Sequence, residues 1–249
     1  KLTMYHPITR EQRFLFYDND SNKLVWDSGE LVVPEAKIQT NIPQQIKLDK
    51  GKDPKVVKIL LGLSCNYECD YCNQRFVPHA DETNPSDVQP FVDRMSTWFS
   101  GGIDGLGTDC KFEFWGGEPL VYWKTLKPLA EAIRSKYPNA GFSMITNGSL
   151  LDDEKNEWLD NIGFSIAVSH DGPGQFVRGP DPFEDPENKK IVLEFYKAMR
   201  PLGRISFNSM LNSKNKSRKE IHDWFVNFTG DPNVILGEGG LVDAYDTDG

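Results

Sequence analysis

The stretch Val57-Lys58-Ile59-Leu60-Leu61-Gly62-Leu63-Ser64-Cys65-Asn66-Tyr67-Glu68-Cys69-Asp70-Tyr71-Cys72 sets three cysteines in a loop directly behind an apolar run that reads as a β-strand. Thiolates are the usual protein ligands of iron–sulfur clusters, and closely spaced cysteines on one loop reach several irons of one cube. With three ligands, one iron stays open. The spacing therefore points to a cluster on Cys65, Cys69 and Cys72. A structural zinc site wants four ligands, commonly as two close pairs, and no second pair follows. His79 lies in a polar, proline-bounded stretch without a partner at the usual spacing, so zinc would be one ligand short. A zinc-stapled, non-catalytic binding protein stays open as a reading of another class. Three cysteines cannot pair among themselves, and Cys110, which opens a later strand, reads as a buried structural residue.

The bulk numbers are those of an ordinary globular protein: 249 residues, 38% hydrophobic and 26% charged, enough for one large α/β domain. No apolar run approaches the length needed to span a bilayer, and Lys1 to Arg10 lack the apolar stretch of a signal peptide. The formal net charge of -9 offers no basic footprint for nucleic acid or anionic lipid. A reduced, oxygen-sensitive cluster needs a reducing compartment, so a cytoplasmic location is expected.

Working outward from the cysteines, the chain divides into an annex and a barrel. In residues 1–54, alternating stretches from Arg13 to Tyr17 and Lys23 to Trp26 flank the turn-rich 18–22 segment and read as a β-hairpin. A proline-bearing connector from Val33 to Pro54 follows, with room for one more edge strand. Residues 55–249 alternate strand-like and helix-like patterns, the signal for repeated β-α units and a parallel sheet. Strands are expected at Val57–Leu63, Lys111–Trp115, Phe142–Thr146, Phe164–Ser169, Arg204–Leu211 and Val234–Leu236. Helical stripes include Val88, Phe91, Val92, Met95, Trp98 and Phe99, and later Ile221, Trp224, Phe225 and Phe228, all read as packing faces. A short helix after Asn147-Gly148 should be capped by Asp152 or Asp153. The expected fold is thus α/β, a partial (β/α)6 TIM-like barrel with parallel strands and a small N-terminal hairpin annex.

The C-x3-C-x2-C spacing, with Tyr71 just before the last cysteine, resembles the signature of the radical S-adenosylmethionine (SAM) superfamily. The resemblance spans roughly Val57 to Val242 and continues through Gly116-Gly117-Glu118-Pro119, Thr146-Asn147-Gly148 and Ser169-His170-Asp171-Gly172-Pro173, which are closest to the peptide- and protein-modifying members, among them the anaerobic sulfatase-maturing enzymes. Each motif sits at the carboxyl end of an expected strand, where a parallel barrel gathers its chemistry. The resemblance implies a four-iron four-sulfur cluster on the three cysteines, with SAM on the open iron. It also implies SAM contacts from Tyr71, Gly116, Gly117, Glu118, Asn147, Ser169, Asp171, Arg178 and Asn208: Glu118 and its glycines for the methionine ammonium, Ser169 and Asp171 for the ribose, and Arg178 for the carboxylate. His170 alternates away from its two neighbours. Asn212 and Asn215 read as turn residues.

In that family, reduction of the cluster by an electron donor cleaves SAM and yields a 5′-deoxyadenosyl radical that abstracts hydrogen from substrate. A peptide or protein substrate is the expectation here, with a small metabolite or nucleotide as the alternative. No radical-quenching catalytic residue is nominated; Glu238, His170 and Asp243 are near the rim by order, with nothing to choose among them. The chain departs from the sulfatase-maturing pattern at Trp115, where those relatives carry glutamine, and at Met144-Ile145, where they carry a polar pair. An acidic tail, Asp243 to Gly249, stands where a last helix would cover the sixth strand, so the reading expects that helix and any cysteine-rich extension to lie outside this chain.

Overall fold

In the computed structural model, described here for residues 2–5, 12–18, 23–32, 54–72, 74, 77, 82–98, 110–212 and 214–239, the chain forms two compact units, Lys1–Lys50 and Gly51–Gly249. His79, Phe99, the side chain of Trp98, most of the connector and the acidic tail fall outside the described residues.

The first unit is an antiparallel sheet of β1 (Leu2–Tyr5), β2 (Gln12–Asp18) and β3 (Lys23–Trp26), in that order. The hairpin β2–β3 was legible; β1, pairing Leu2 with Leu15, was not, because its four residues carry no turn signal of their own.

The second unit runs β4 (Val56–Leu60), α1 (Val88–Trp98), β5 (Lys111–Trp115), α2 (Trp123–Lys136), β6 (Gly141–Thr146), α3 (Asp153–Ile162), β7 (Phe164–Ser169), α4 (Pro186–Met199), β8 (Ile205–Met210), α5 (Arg218–Thr229) and β9 (Leu236–Gly239). All six strands pair in parallel and in sequence order, an open six-stranded arc. The sixth strand starts at Leu236, not Val234: Val234 instead turns into the core, and its N–H bonds Asp231. β4 stops at Leu60, three residues short of expectation. Gly62 there adopts a φ of 155°, which L side chains rarely adopt.

Alternation decides which face is buried. Phe112, Phe114, Phe142, Phe164 and Phe207 point outward beneath the helices and are fully buried, with Phe114 and Phe142 edge to face at 5.6 Å. The helices answer with Leu126, Leu129, Ala130 and Ile133 on α2 and Ile221 and Phe225 on α5. Cys110 is buried in this same core, 1% exposed. α3 is capped at its start by Asp152, whose carboxylate accepts from Lys155 N–H at 2.8 Å, and at its end by Gly163 with φ 84°, a left-handed cap that favours glycine. Among the described residues the helices lie on the outer face of the sheet, while Leu60, Trp115 and Ile145 on its inner face are exposed. No helix among the described residues is long and apolar enough to cross a membrane.

Candidate functional site

At the carboxyl ends of the strands lies a cavity of about 950 Å3. Its walls include Cys65, Cys69 and Cys72 from the loop after β4, Gly116, Gly117 and Glu118 from the end of β5, Asn147 after β6, Ser169 at the end of β7, Arg178 beyond it, and Asn208 on β8. Tyr71 also lines it. The structure thus gathers onto one rim eleven of the twelve residues nominated from sequence. Asp171 is the exception, fully buried and not on the wall.

The glycine pair is there for the cysteine loop. A Cβ on Gly117 would sit 2.4 Å from the carbonyl oxygen of Leu63 and 2.5 Å from that of Ser64, closer than side-chain atoms ever approach. That closeness lets β5 extend its ladder into the loop: Leu61 N–H donates to Trp115 O at 2.8 Å, Gly117 N–H to Gly62 O at 3.0 Å and Glu118 N–H to Ser64 O at 3.0 Å. Tyr122, which the sequence reading missed, accepts from Ser64 N–H at 2.6 Å. On the far side, Asn147 Nδ2 donates to Asn66 Oδ1 at 2.8 Å and its own oxygen accepts from Ser149, so its side chain steadies the loop. Tyr67 and Asp70 complete the fastening, to Pro180 O at 2.9 Å and Lys214 Nζ at 3.0 Å.

Glu118 is 2% exposed, and burial raises its pKa against the bonds that favour its charge. Oε1 accepts from Leu120 N–H at 3.0 Å and Thr146 Oγ1 at 2.7 Å; Oε2 accepts only from Asn147 N–H at 2.6 Å. Each carboxylate oxygen has two lone pairs, so one acceptor site remains, on Oε2.

Asp171, expected at the ribose, has both carboxylate oxygens engaged by protein groups. Its Oδ2 accepts from Tyr71 Oη at 2.7 Å and its Oδ1 from Met210 N–H at 2.8 Å. Tyr71 Oη in turn accepts from Arg178 Nη1 at 2.7 Å. Asp171, Tyr71 and Arg178 form a relay that ties the cysteine loop to the ends of β7 and β8. Burial opposes the Arg178 charge, but Tyr71, Cys69 and Asp171 around it outweigh burial and hold its pKa above the ordinary value. Arg178 Nε is buried without a protein partner, a donor waiting for an acceptor. Asn215, expected as a turn residue, is buried as well: its Nδ2 donates to Asp171 O at 2.9 Å. His170 points away from the cavity, stacked between Phe183 at 4.5 Å and Trp224 at 4.6 Å.

The donor set suits a cluster better than one ion. Three thiols are one ligand short of a structural zinc site. Yet Cys65, Cys69 and Cys72 share one cavity wall and feel each other electrostatically; burial first, with the neighbouring thiols, pushes Cys69 up to about 11. A multi-iron cube spreads its thiolate ligands over separate irons and so fits that spacing.

No family profile matches the chain. It is 24% identical over 199 residues to the radical SAM cyclopropyl synthase TigE of Paramaledivibacter caminithermalis, covering 73% of this chain and 39% of that protein. It is 26% identical over 145 residues to the cysteine-type anaerobic sulfatase-maturating enzyme of Clostridium perfringens, covering 53% and 39%. The chain is a relative of the radical SAM enzymes. The fold agrees: anSMEcpe with bound AdoMet and the Kp18Cys peptide superposes at a TM-score of 0.58 with 20% identity, covering 77% of this chain and 52% of that one. Streptococcus suis SuiB bound to its precursor peptide SuiA superposes at 0.56 with 16% identity, covering 76% and 40%. The chain spans about two-fifths of the length of the curated radical SAM relatives it matches.

Proposed function

We propose that this chain is the radical-generating part of a radical SAM enzyme that acts on a peptide or protein, in a reducing, cytoplasmic setting and with an external electron donor. The observation that carries the reading is the meeting, at one rim, of three loop cysteines with a buried carboxylate and a buried guanidinium that each retain one unused polar site. When bound, a four-iron four-sulfur cluster and SAM supply one-electron reductive cleavage of a sulfonium carbon–sulfur bond and so a hydrogen-abstracting radical.

Every other part of the task falls to the chain's own groups. Cys65, Cys69 and Cys72 hold the irons. Glu118 Oε2 offers its remaining lone pair to an ammonium, and Arg178 offers its unpaired Nε to a carboxylate, together a fit for an amino-acid moiety. Ser169 and Asn208, on adjacent strand ends and in register, face the same cavity and suit ribose hydroxyls. Asp171 serves by holding Tyr71 and, through it, Arg178. The peptide reading is supported by neighbours crystallised with peptides and by the motif likeness at Thr146-Asn147-Gly148.

The test is anaerobic reconstitution followed by iron and sulfide determination, calorimetric titration with SAM, and detection of 5′-deoxyadenosine after chemical reduction. Four irons per chain, SAM binding and 5′-deoxyadenosine are expected. Stoichiometric zinc without iron, or no SAM binding by the iron-loaded protein, would overturn the reading.

A further inference from the structure

The inner face of the sheet is built in layers. Alternate residues of a strand share a face, so successive layers lie about 6.6 Å apart along the strands. Lys58, Glu113, Ser143 and Ser165 stand in register across β4 to β7 and form a polar floor. One layer nearer the rim come Leu60 paired with Trp115, and Ile145 paired with Ala167, which pairs in turn with Ser206. Ile235 joins them just before β9. The layer above is the rim of the cofactor cavity, with Asn147, Ser169 and Asn208.

The middle layer is apolar and open. Leu60 is 57% exposed, Trp115 38%, Ile145 41% and Ile235 44%, although all four belong to a strand or its end in a parallel sheet. In a closed eight-stranded barrel such inward residues fill the interior by meeting one another. The six-stranded arc leaves a cavity of about 380 Å3 bounded in this layer by Trp115, Ile145, Ala167, Ser206 and Ile235 and reaching down to the floor, where Glu113, Ser143, Ser165 and Arg204 line it. Trp115 and Ile145 wall both this cavity and the larger one at the rim, so the two adjoin.

We propose that this middle layer is the substrate pocket and that it receives an aliphatic side chain of the peptide. The inference rests on the function proposed above. Three observations choose the occupant. Apart from the Ser206 hydroxyl the ring is apolar, so a polar side chain seated in it would exchange its water for at most one partner in that layer. The floor one layer down carries Lys58 at 3.7 Å and Lys111 at 3.2 Å from Glu113, two cations to one anion, with the Lys58 ammonium 4.7 Å from the Trp115 ring centre. A lysine or arginine long enough to cross the layer would meet that excess of positive charge. A branched side chain of a few carbons fits within the spacing of one layer and stops short of the floor.

The test is photo-crosslinking of the anaerobically reconstituted full chain with the N-acetyl amide of photo-leucine, an aliphatic diazirine, mapped by mass spectrometry. Labels are expected on Trp115 and Ile145, which line the cavity. N-acetylisoleucinamide should compete at about tenfold or more lower concentration than N-acetylserinamide or N-acetyllysinamide. Ala167→Phe, and as a milder filling Ser206→Leu, should each cut the labelling by about tenfold or more. Equal competition by the serine analogue, labels elsewhere, or full labelling of both filled variants would overturn the proposal. No labelling of the parent chain, as when a segment of the chain itself fills the layer, would overturn it too. SAM titration of the parent separates the two readings: labelling without SAM binding defeats the proposed function and leaves the pocket standing, and SAM binding without labelling does the reverse.

Discussion

Removing the Asp171 carboxylate should weaken the barrel more than any exposed change, because three groups depend on it. Asp171→Ala deletes the acceptor for Tyr71 Oη at 2.7 Å and for Met210 N–H at 2.8 Å, and takes away the anion 3.9 Å from Arg178 Nη1. The residue is fully buried and Arg178 only 9% exposed, so water cannot easily replace what is lost. Breaking a buried pair from one side costs about 3–5 kcal/mol, since the remaining charge stays uncompensated. Tyr71→Phe removes the hydroxyl alone and should cost about 1.5–3 kcal/mol, the value of a hydrogen bond to a charged group. In the double variant part of the cost has already been incurred, so the pair should show a coupling of about 1 kcal/mol or more. Urea unfolding of anaerobically prepared protein, followed by tryptophan fluorescence, supplies the four free energies. A coupling under about 0.3 kcal/mol, within the additivity of independent sites, would show that the relay does not tie the cysteine loop to the sheet.

Gly117→Ala should force the end of β5 off the cysteine loop, because its Cβ would press on two backbone carbonyls; loss of bound iron after reconstitution is the expected readout. Gly203→Ala, at φ 65° with nothing within 4 Å, is the control and should cost only the left-handed strain, about 1–2 kcal/mol, with iron retained. Cys69→Ala should lose the cluster absorbance, whereas Cys110→Ala, in the core, should keep it. His170 is held neutral: burial lowers its pKa below the ordinary 6.5 despite the Asp181 carboxylate at 2.9 Å, and its Nδ1 accepts from Gly172 N–H. Because the folded-state value is the lower one, the stability it confers is complete above about pH 6.5 and is lost as pH falls through that lower value. Thermal unfolding between pH 7.5 and 5 should therefore show a decline that His170→Gln flattens.

What was legible in the sequence and what was not divide along a physical line. The β-α order could be read because each strand and helix carries its own periodicity, and the second and fourth barrel strands, Lys111–Trp115 and Phe164–Ser169, fall where alternation put them. The rim could be read because strand ends in a parallel sheet converge whatever the loops do. The roles within the rim are a different matter. Asp171 and Tyr71 are 100 residues apart, and no local pattern says that the one carboxylate will turn toward the other's hydroxyl. From the resemblance Gly117 is assigned to the methionine ammonium, and its closeness to the carbonyls of residues 63 and 64 is a contact that exists only once two strands are paired. The inner layers were illegible for a related reason. Leu60, Trp115 and Ile145 look like ordinary alternating strand residues, and their exposure follows from the number of strands and the openness of the arc, neither of which any one strand encodes. Local pattern thus locates a site, and pairing across the sheet decides which groups in it are left free to act.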